Sequence, residues 1–303
     1  MLRLLEVVIV IILATPIIVL PLKISLKLGE LAGLAFFYFS GTRRKIAEDN
    51  LRKTVISDKT FSEIDISKIL KENFKNYGRS LAEVIKIYSG SGKKIVESVR
   101  IEGIENYFAA KEKGKGVVFL TGHCGNWELL ALVVSLKVSP IAVVARPLDN
   151  NYLNKIVEGV RRKFGNSVIY KRGALKPIMQ TLKKNGFVGI LMDQAVVRSE
   201  GFVIDFLGRG AWTTKMPALI IRKTGAAALP VFIHRNGDGH TITIYPEVKL
   251  SEIEDRERAL VEDTKTFTKY IENYIREHPA EWLWIHRRWK RVTHENVDNK
   301  NGS

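Results

Sequence analysis

Apolar and polar positions fall into three regimes along the chain. Residues 7–22 carry no charge, and a second apolar patch follows at 31–39. Sixteen uncharged residues are fewer than the ~20 that a bilayer-crossing helix needs, and Pro16 and Pro21 are expected to interrupt the helix. The pattern predicts a membrane anchor, either a marginal span or a kinked hairpin lying in one leaflet. In the second regime Ile66, Ile69, Leu70, Phe74, Tyr77, Leu81, Val84, Ile85 and Tyr88 recur at three- and four-residue spacing. They form one stripe of a helix that ends at Ser89-Gly90-Ser91-Gly92 and is expected to pack against a sheet. From about residue 99, short apolar runs alternate with helical periods. Strands are predicted at 117–121, 141–145, 168–170, 187–192, 228–233 and 241–245, and helices at 127–137, 151–164, 175–184, 215–224 and 253–277. Such alternation predicts an α/β fold, a mainly parallel sheet flanked by helices, preceded by the N-terminal membrane-anchoring helical segment. The expected organisation is an anchor over 1–45, a helical lead-in over 46–98, an α/β domain over 99–293 and a disordered polar tail over 294–303.

One strand-to-helix turn concentrates the chemistry. The apolar run at 117–120 reads as an inner strand, and it leads into Gly122, His123, Cys124, Gly125 and Asn126. Asn126 can cap the following helix, whose first turn carries Glu128. His123 and Glu128 thus flank the turn. The carboxylate can orient the imidazole and stabilise its charged form, leaving the other nitrogen free to take a proton. In open parallel sheets, sites form beyond the carboxyl ends of the strands. His123 follows the strand ending near Thr121, Arg146 the strand ending at Ala145, and Asp193 the strand ending at Met192. These three polar residues are expected to converge on one sheet edge.

Charge narrows the partners. Forty-eight Lys and Arg against thirty-two Asp and Glu give a net charge of +16, which favours an anionic partner. Residues 141–225 alone hold fifteen basic and five acidic residues. Most of those lysines suit a solvated face, whereas Arg146, Arg161, Arg172 and Arg209 occupy loop or helix-face positions that could point inward and bind phosphate. Nucleic acid is disfavoured, because neither a recognition motif nor a run of stacking aromatics accompanies the charge. A basic surface beside a membrane anchor fits anionic lipid better. Lys23, Lys27, Arg43, Arg44 and Lys45 follow the apolar segment and only Arg3 precedes it, which puts the main domain on the cytoplasmic side. The single cysteine, Cys124, excludes an internal disulfide and any multi-cysteine metal site. Near the C-terminus, Glu281-Trp282-Leu283-Trp284-Ile285-His286-Arg287-Arg288-Trp289-Lys290 mixes tryptophans with cations. That mixture suits either a membrane–water interface or a last segment that covers the core with its rings.

Gly122-His123 to Glu128, Ala145-Arg146-Pro147, Asp193-Gln194, Asp205-Phe206-Leu207-Gly208 and Leu283-Trp284-Ile285-His286-Arg287-Arg288-Trp289-Lys290 occur in an order and spacing that resemble the late acyltransferases of lipid A biosynthesis. These lauroyl and myristoyl transferases belong to the wider H-x4-D/E acyltransferase group, and the likeness spans nearly the whole chain. The resemblance implies transfer of a fatty acyl chain from an acyl carrier protein thioester to a hydroxyl of a phosphorylated, acylated glucosamine disaccharide. It places the reaction at the cytoplasmic face of the inner membrane, without cofactor or metal. It makes His123 the general base and Glu128 the residue that holds its ring. Arg161 would bind or polarise anionic substrate, Asp193 would orient it, and Arg146 would contact phosphate. Backbone N–H groups at 125–127, or an arginine, are candidates to stabilise the oxyanion.

Several alternatives remain at this stage. Cys124 could act as an acyl-accepting nucleophile, although a small packing residue is the simpler role, as the family does not require cysteine there. The acceptor could be another glycolipid or a lysophospholipid. A membrane-attached, non-enzymatic protein that binds anionic lipid would explain the charge and the anchor, but not the three polar strand ends. A metal hydrolase built on His123 and Glu128 lacks a close third ligand.

Overall fold

The computed structural model describes residues 2–61, 65–237, 239–290 and 292. The polar tail expected over 294–303 lies outside these described residues. Helices come first: α1 (Leu2–Val19), α2 (Leu22–Phe39), α3 (Gly41–Ser57), α4 (Ile66–Tyr88) and the short α5 (Lys93–Ser98). Strand and helix then alternate through β1 (Arg100–Glu102), α6 (Ile104–Glu112), β2 (Val117–Thr121), α7 (Trp127–Lys137), β3 (Ala142–Ala145), α8 (Asn151–Lys163), β4 (Ser167–Tyr170), α9 (Leu175–Lys183) and β5 (Phe187–Leu191). A hairpin of β6 (Gly201–Phe206) and β7 (Arg209–Thr214) interrupts the alternation before α10 (Met216–Thr224), β8 (Ala227–Asn236), β9 (Gly239–Ile244) and α11 (Arg256–Glu277).

The main sheet has seven strands in the order β1-β9-β8-β2-β5-β3-β4, parallel except where β8 meets β9. It is the mainly parallel, helix-flanked α/β fold that the alternation predicts. Every residue of β2 is buried. Side chains alternate across a strand, so Val118 and Leu120 join a core with Ile178, Ile220 and Ile271 of α9, α10 and α11. Val117 and Phe119 face the opposite core, with Tyr107 of α6 and Leu129 and Val133 of α7.

The helical lead-in differs from its predicted stripe. Leu81 is 57% exposed, whereas Asn73, Glu83 and Lys86 are buried. Each buried polar group has partners that offset its desolvation. Asn73 donates to the carbonyls of Ala280 and Trp282, and Glu83 accepts from Arg235, His240 and Asn126. The Lys86 ammonium donates to the carbonyls of Ile18 and Leu20 at the C-terminal end of α1. The exposed part of the stripe borders a cleft with α2, which crosses α4 so closely that a Cβ on Gly33 would lie 2.1 Å from the Phe74 carbonyl oxygen.

At the N-terminus the break falls at one proline, not two. Helix α1 runs through Pro16, and the chain turns at Leu20-Pro21, where Pro21 adopts an extended ψ of 150° and directs the residue before it away from helix. Among the described residues no helix is long and apolar enough to cross a membrane. Helix α1 packs on α2, α4 and α8, and Asn150 at the start of α8 donates to the Arg3 carbonyl and the Glu6 carboxylate. Its other face exposes Leu4, Leu5, Ile9, Ile12, Leu13 and Val19.

Candidate active site

Strand β2 ends at Thr121 and α7 begins at Trp127, so the intervening turn presents His123 at the carboxyl edge of the sheet. The turn is pinned from the C-terminal segment. Gly125 N–H donates to the Glu281 carbonyl at 2.8 Å, Leu283 N–H donates to the His123 carbonyl at 3.1 Å, and Cys124 bridges Trp282. Gly125 adopts φ +55°, and a Cβ there would sit 2.0 Å from the Ile233 carbonyl oxygen, so only glycine fits. Asn126 caps α7 as expected, accepting from Leu129 N–H at 3.2 Å. Its amide donates to Glu83 at 2.8 Å, which ties the turn to α4.

The carboxylate bonded to the imidazole is Asp193, which follows β5, the strand paired with β2. His123 Nδ1 lies 2.8 Å from Asp193 Oδ1, and the His123 backbone N–H donates to Oδ2 at 2.9 Å. The Trp282 indole N–H donates to the same Oδ2 at 2.8 Å. Burial alone would raise the Asp193 pKa. The charge and hydrogen bonds of His123, joined by Trp282, outweigh it and hold the carboxyl far below the usual range. A carboxylate on Nδ1 fixes the tautomer with the proton there, so Nε2 carries the lone pair. Nε2 meets the Gln194 amide at 3.1 Å, and the Trp127 ring stands edge-on to the imidazole at 5.2 Å. A Cβ on Gly122 would approach Asp193 Cγ to 3.2 Å, so the glycine leaves room for this carboxylate.

Glu128 has other partners, which corrects the expectation that it holds the His123 ring. Its Oε1 accepts from Arg161 at 2.6 Å, and its Oε2 accepts from the Tyr88 hydroxyl at 3.3 Å. The first turn of α7 aims this carboxylate at α4 and α8, away from β5. Asp193 and Arg161 therefore both reach the vicinity of the turn, through different contacts. Arg146 and Arg172 are not brought to it. The Arg146 side chain is 81% exposed and pairs with Asp149 at 3.4 Å, while Arg172 is exposed beyond β4 at the far edge of the sheet. Arg209 opens β7 and stacks on Trp289 in a separate basic pocket.

The tryptophans of the C-terminal segment cover the core. Trp282, Trp284 and Trp289 are buried, and Arg288, wholly buried, donates to the Trp212 carbonyl and Thr213 Oγ1. The pairings of Glu83 with Arg235 and His240, of Tyr88 with Glu128 and of Trp282 with Asp193 give no local sequence signal, because the partners lie far apart in the chain. Beside the turn lies an apolar cavity of about 400 Å³, walled by Phe36 of α2, Tyr77, Leu81 and Val84 of α4, and Leu283 and Ile285, with Trp127 and Glu128 at one side. Among the described residues, His, Cys, Asp and Glu form no group of three that could hold a metal ion.

A sheet-edge histidine beside a lipid-sized apolar cavity suits an enzyme acting on acyl chains, and comparison with known proteins gives the class: this is an acyltransferase. The chain belongs to the bacterial lipid A biosynthesis acyltransferase family, whose model matches residues 1–291. A lipid A biosynthesis palmitoleoyltransferase of Escherichia coli (strain K12) is 28% identical over 274 residues, 89% of this chain and 86% of the relative. A lipid A biosynthesis lauroyltransferase of the same organism is 25% identical over 89% of this chain and 87% of its own. A phosphatidylinositol mannoside acyltransferase of Mycolicibacterium smegmatis is 23% identical over 73% of this chain and 72% of its own.

Proposed function

We propose that this acyltransferase moves a fatty acyl chain from an acyl carrier protein thioester to a hydroxyl of a lipid A precursor, with His123 as general base. The observation that carries this reading is the bond from Nδ1 to the buried Asp193 carboxylate, which leaves Nε2 basic. The acceptor hydroxyl displaces the Gln194 amide from Nε2 and gives up its proton as its oxygen bonds to the thioester carbon. Asp193 stabilises the imidazolium that forms. The tetrahedral intermediate then collapses, the carbon–sulfur bond breaks, and the imidazolium returns the proton to the departing thiolate. The Gly125 N–H is occupied by the Glu281 carbonyl, so the oxyanion donors fall to the Trp127 and Glu128 amides and to Arg161. The cavity lined by Leu81, Val84 and Phe36 suits one acyl chain.

Membrane association of a monotopic kind is part of the proposal. Helix α1 is bonded to the body near both ends, through Asn150 and Lys86, and its exposed face is apolar. That supports a helix lying in the interface over one reaching across it. The catalytic domain would then work at the cytoplasmic face of the inner membrane. Expression in a host lacking its own late acyltransferase, followed by mass spectrometry of lipid A, tests the function. One added acyl chain is expected with the wild-type protein and none with His123→Ala. An unchanged lipid A alongside newly acylated phosphatidylinositol mannosides or lysophospholipids would transfer the assignment to those acceptors.

A further inference from the structure

Helix α3, the start of β7 and the end of the C-terminal segment enclose a second concave site of about 480 Å³, which the acyl-transfer machinery does not use. Lys45, Lys53, Arg209, Arg287 and Lys290 line it, with Asp49 as the one acid among the lining residues. Lys45, Asp49 and Lys53 recur every four residues, so α3 presents them as one stripe. None of the five cations is held in an ion pair among the described residues. The Arg209 guanidinium stacks 4.2 Å from the Trp289 ring centre. Among the described residues its Nη1 is buried without a hydrogen-bond partner, and so is the indole N–H of Trp289, a residue only 8% exposed. Buried donors without acceptors are rare in folded proteins. Two of them, in a pocket with four net positive charges, are a site waiting for a multivalent oxyanion.

We propose that this pocket binds a phosphoryl group of a phosphorylated lipid. A phosphomonoester supplies three acceptor oxygens and up to two charges, which answers a guanidinium fork, an indole N–H and flexible ammonium groups together better than one carboxylate does. The pocket is joined to the reaction centre by the chain itself. Trp282 donates to Asp193, Asn50 in the pocket wall donates to the Trp284 and His286 carbonyls, and Trp289 lines the pocket. A phosphate held here would fix the position of a glycolipid whose hydroxyl reaches His123. This inference rests on the acyl-transfer reading for its role, but not for its existence.

The test uses the full chain in detergent, with glucosamine 1-phosphate and inorganic phosphate as calorimetric probes. The variants are Arg209→Gln and the exposed triple Lys45→Gln, Lys53→Gln, Lys290→Gln. A triple on α9 and its C-cap (Lys176→Gln, Lys183→Gln, Lys184→Gln) removes the same charge elsewhere. Probe affinity is expected to fall about tenfold or more in both pocket variants and to hold in the α9 control, with glucosamine itself not binding. If the acceptor supplies the phosphate, KM for phosphorylated acceptor rises about tenfold at nearly constant kcat, and dephosphorylating the acceptor has no further effect in the variants. If a membrane headgroup supplies it, the variants instead lose binding to phosphatidylglycerol vesicles. Either source supports the site. Equal probe affinity in wild type and pocket variants overturns it, as does a rise confined to KM for the carrier protein. A chain that binds the probe at this pocket but transfers no acyl group would sink the proposed function and leave the phosphate site standing.

Discussion

The Trp282 indole donates to Asp193 Oδ2 at 2.8 Å while Asp193 Oδ1 holds the His123 ring at 2.8 Å. One buried carboxylate is therefore shared between the turn after β2 and the C-terminal segment. The tryptophan motif near the end of the chain thus serves the histidine motif near its middle. Asp193→Asn keeps the shape but removes the charge that stabilises an imidazolium, and transfer is expected to fall about 100- to 10,000-fold. Trp282→Phe removes one donor and leaves the charge in place. Its expected cost is about tenfold in kcat and about 1–3 kcal/mol in stability. Steady-state transfer assays and thermal melts of the two variants check the ranking. Equal losses would mean that the indole does more than hold the carboxylate.

Acid is expected to destabilise the fold in two stages. Burial pushes the His286 imidazole down to about 4 from 6.5, against the pull of the Asp193 charge, and burial displaces His278 in the same direction. Between these values the unfolded chain binds the proton and the folded chain does not, so stability falls as pH drops from 6.5 toward 4. Burial alone would raise Glu83, but His240 and Arg235 outweigh it and hold the carboxyl at about 2 against 4.5. Its contribution is complete above pH 4.5 and is lost as pH falls toward 2. Urea midpoints measured from pH 8 to pH 3 are expected to decline from about 6.5 and more steeply below about 4.5. His286→Gln should shrink the first decline, and Glu83→Gln should flatten the second while lowering stability at neutral pH. A level midpoint across the first interval would contradict the His286 argument.

The local parts of this fold were legible in the sequence, and the long-range pairings were not. Strand 117–121 and helix 127–137 match β2 and α7, because a continuous apolar run and a capped period-3.6 helix are properties of neighbouring residues. The stop after Tyr88 was equally local. The β6–β7 hairpin went unread, since its strands carry Gly201, Gly210 and several polar residues where an apolar alternation was sought. The stripe on α4 was only half right, because three of its buried positions are polar groups with partners 43 to 209 residues away. The same limit explains the carboxylate at His123. Glu128 is near in sequence, but the adjacency of β2 and β5 puts Asp193, 70 residues distant, on the ring. The convergence of His123 and Asp193 at one edge followed from topology. Arg146 and Arg172 failed to join them because β3 and β4 lie successively farther from β2.

Cys124 gives a clean test of the covalent alternative. Its side chain is 1% exposed, and burial, reinforced by the nearby Asp193 and Glu281 charges, pushes the thiol well above its ordinary range. A buried neutral thiol is a poor nucleophile. Cys124→Ala and Cys124→Ser are expected to retain most transfer activity, with a stability loss of about 1 kcal/mol from the small cavity or the buried hydroxyl. No acyl-enzyme should accumulate in intact-protein mass spectra taken during turnover. An acylated wild-type chain that the alanine variant fails to form would restore the two-step route.

The partners of Glu128 predict how its loss will differ from that of Asp193. Arg161 and Glu128 form a 2.6 Å ion pair with side chains 15% and 28% exposed, and the Tyr88 hydroxyl completes it. Glu128 bonds Arg161 and Tyr88 instead of the imidazole, so Glu128→Gln should lower kcat much less than Asp193→Asn does. Asp193→Asn should cost far more in kcat, because it removes the charge that stabilises the imidazolium. Arg161→Gln should cost at least as much as Glu128→Gln, and the double variant should cost little more than Arg161→Gln, as two members of one unit are non-additive. A carboxylate that works by presenting an arginine predicts this coupling. Steady-state rates for the four variants decide it: a loss of kcat in Glu128→Gln as large as that in Asp193→Asn would put Glu128 back on the histidine.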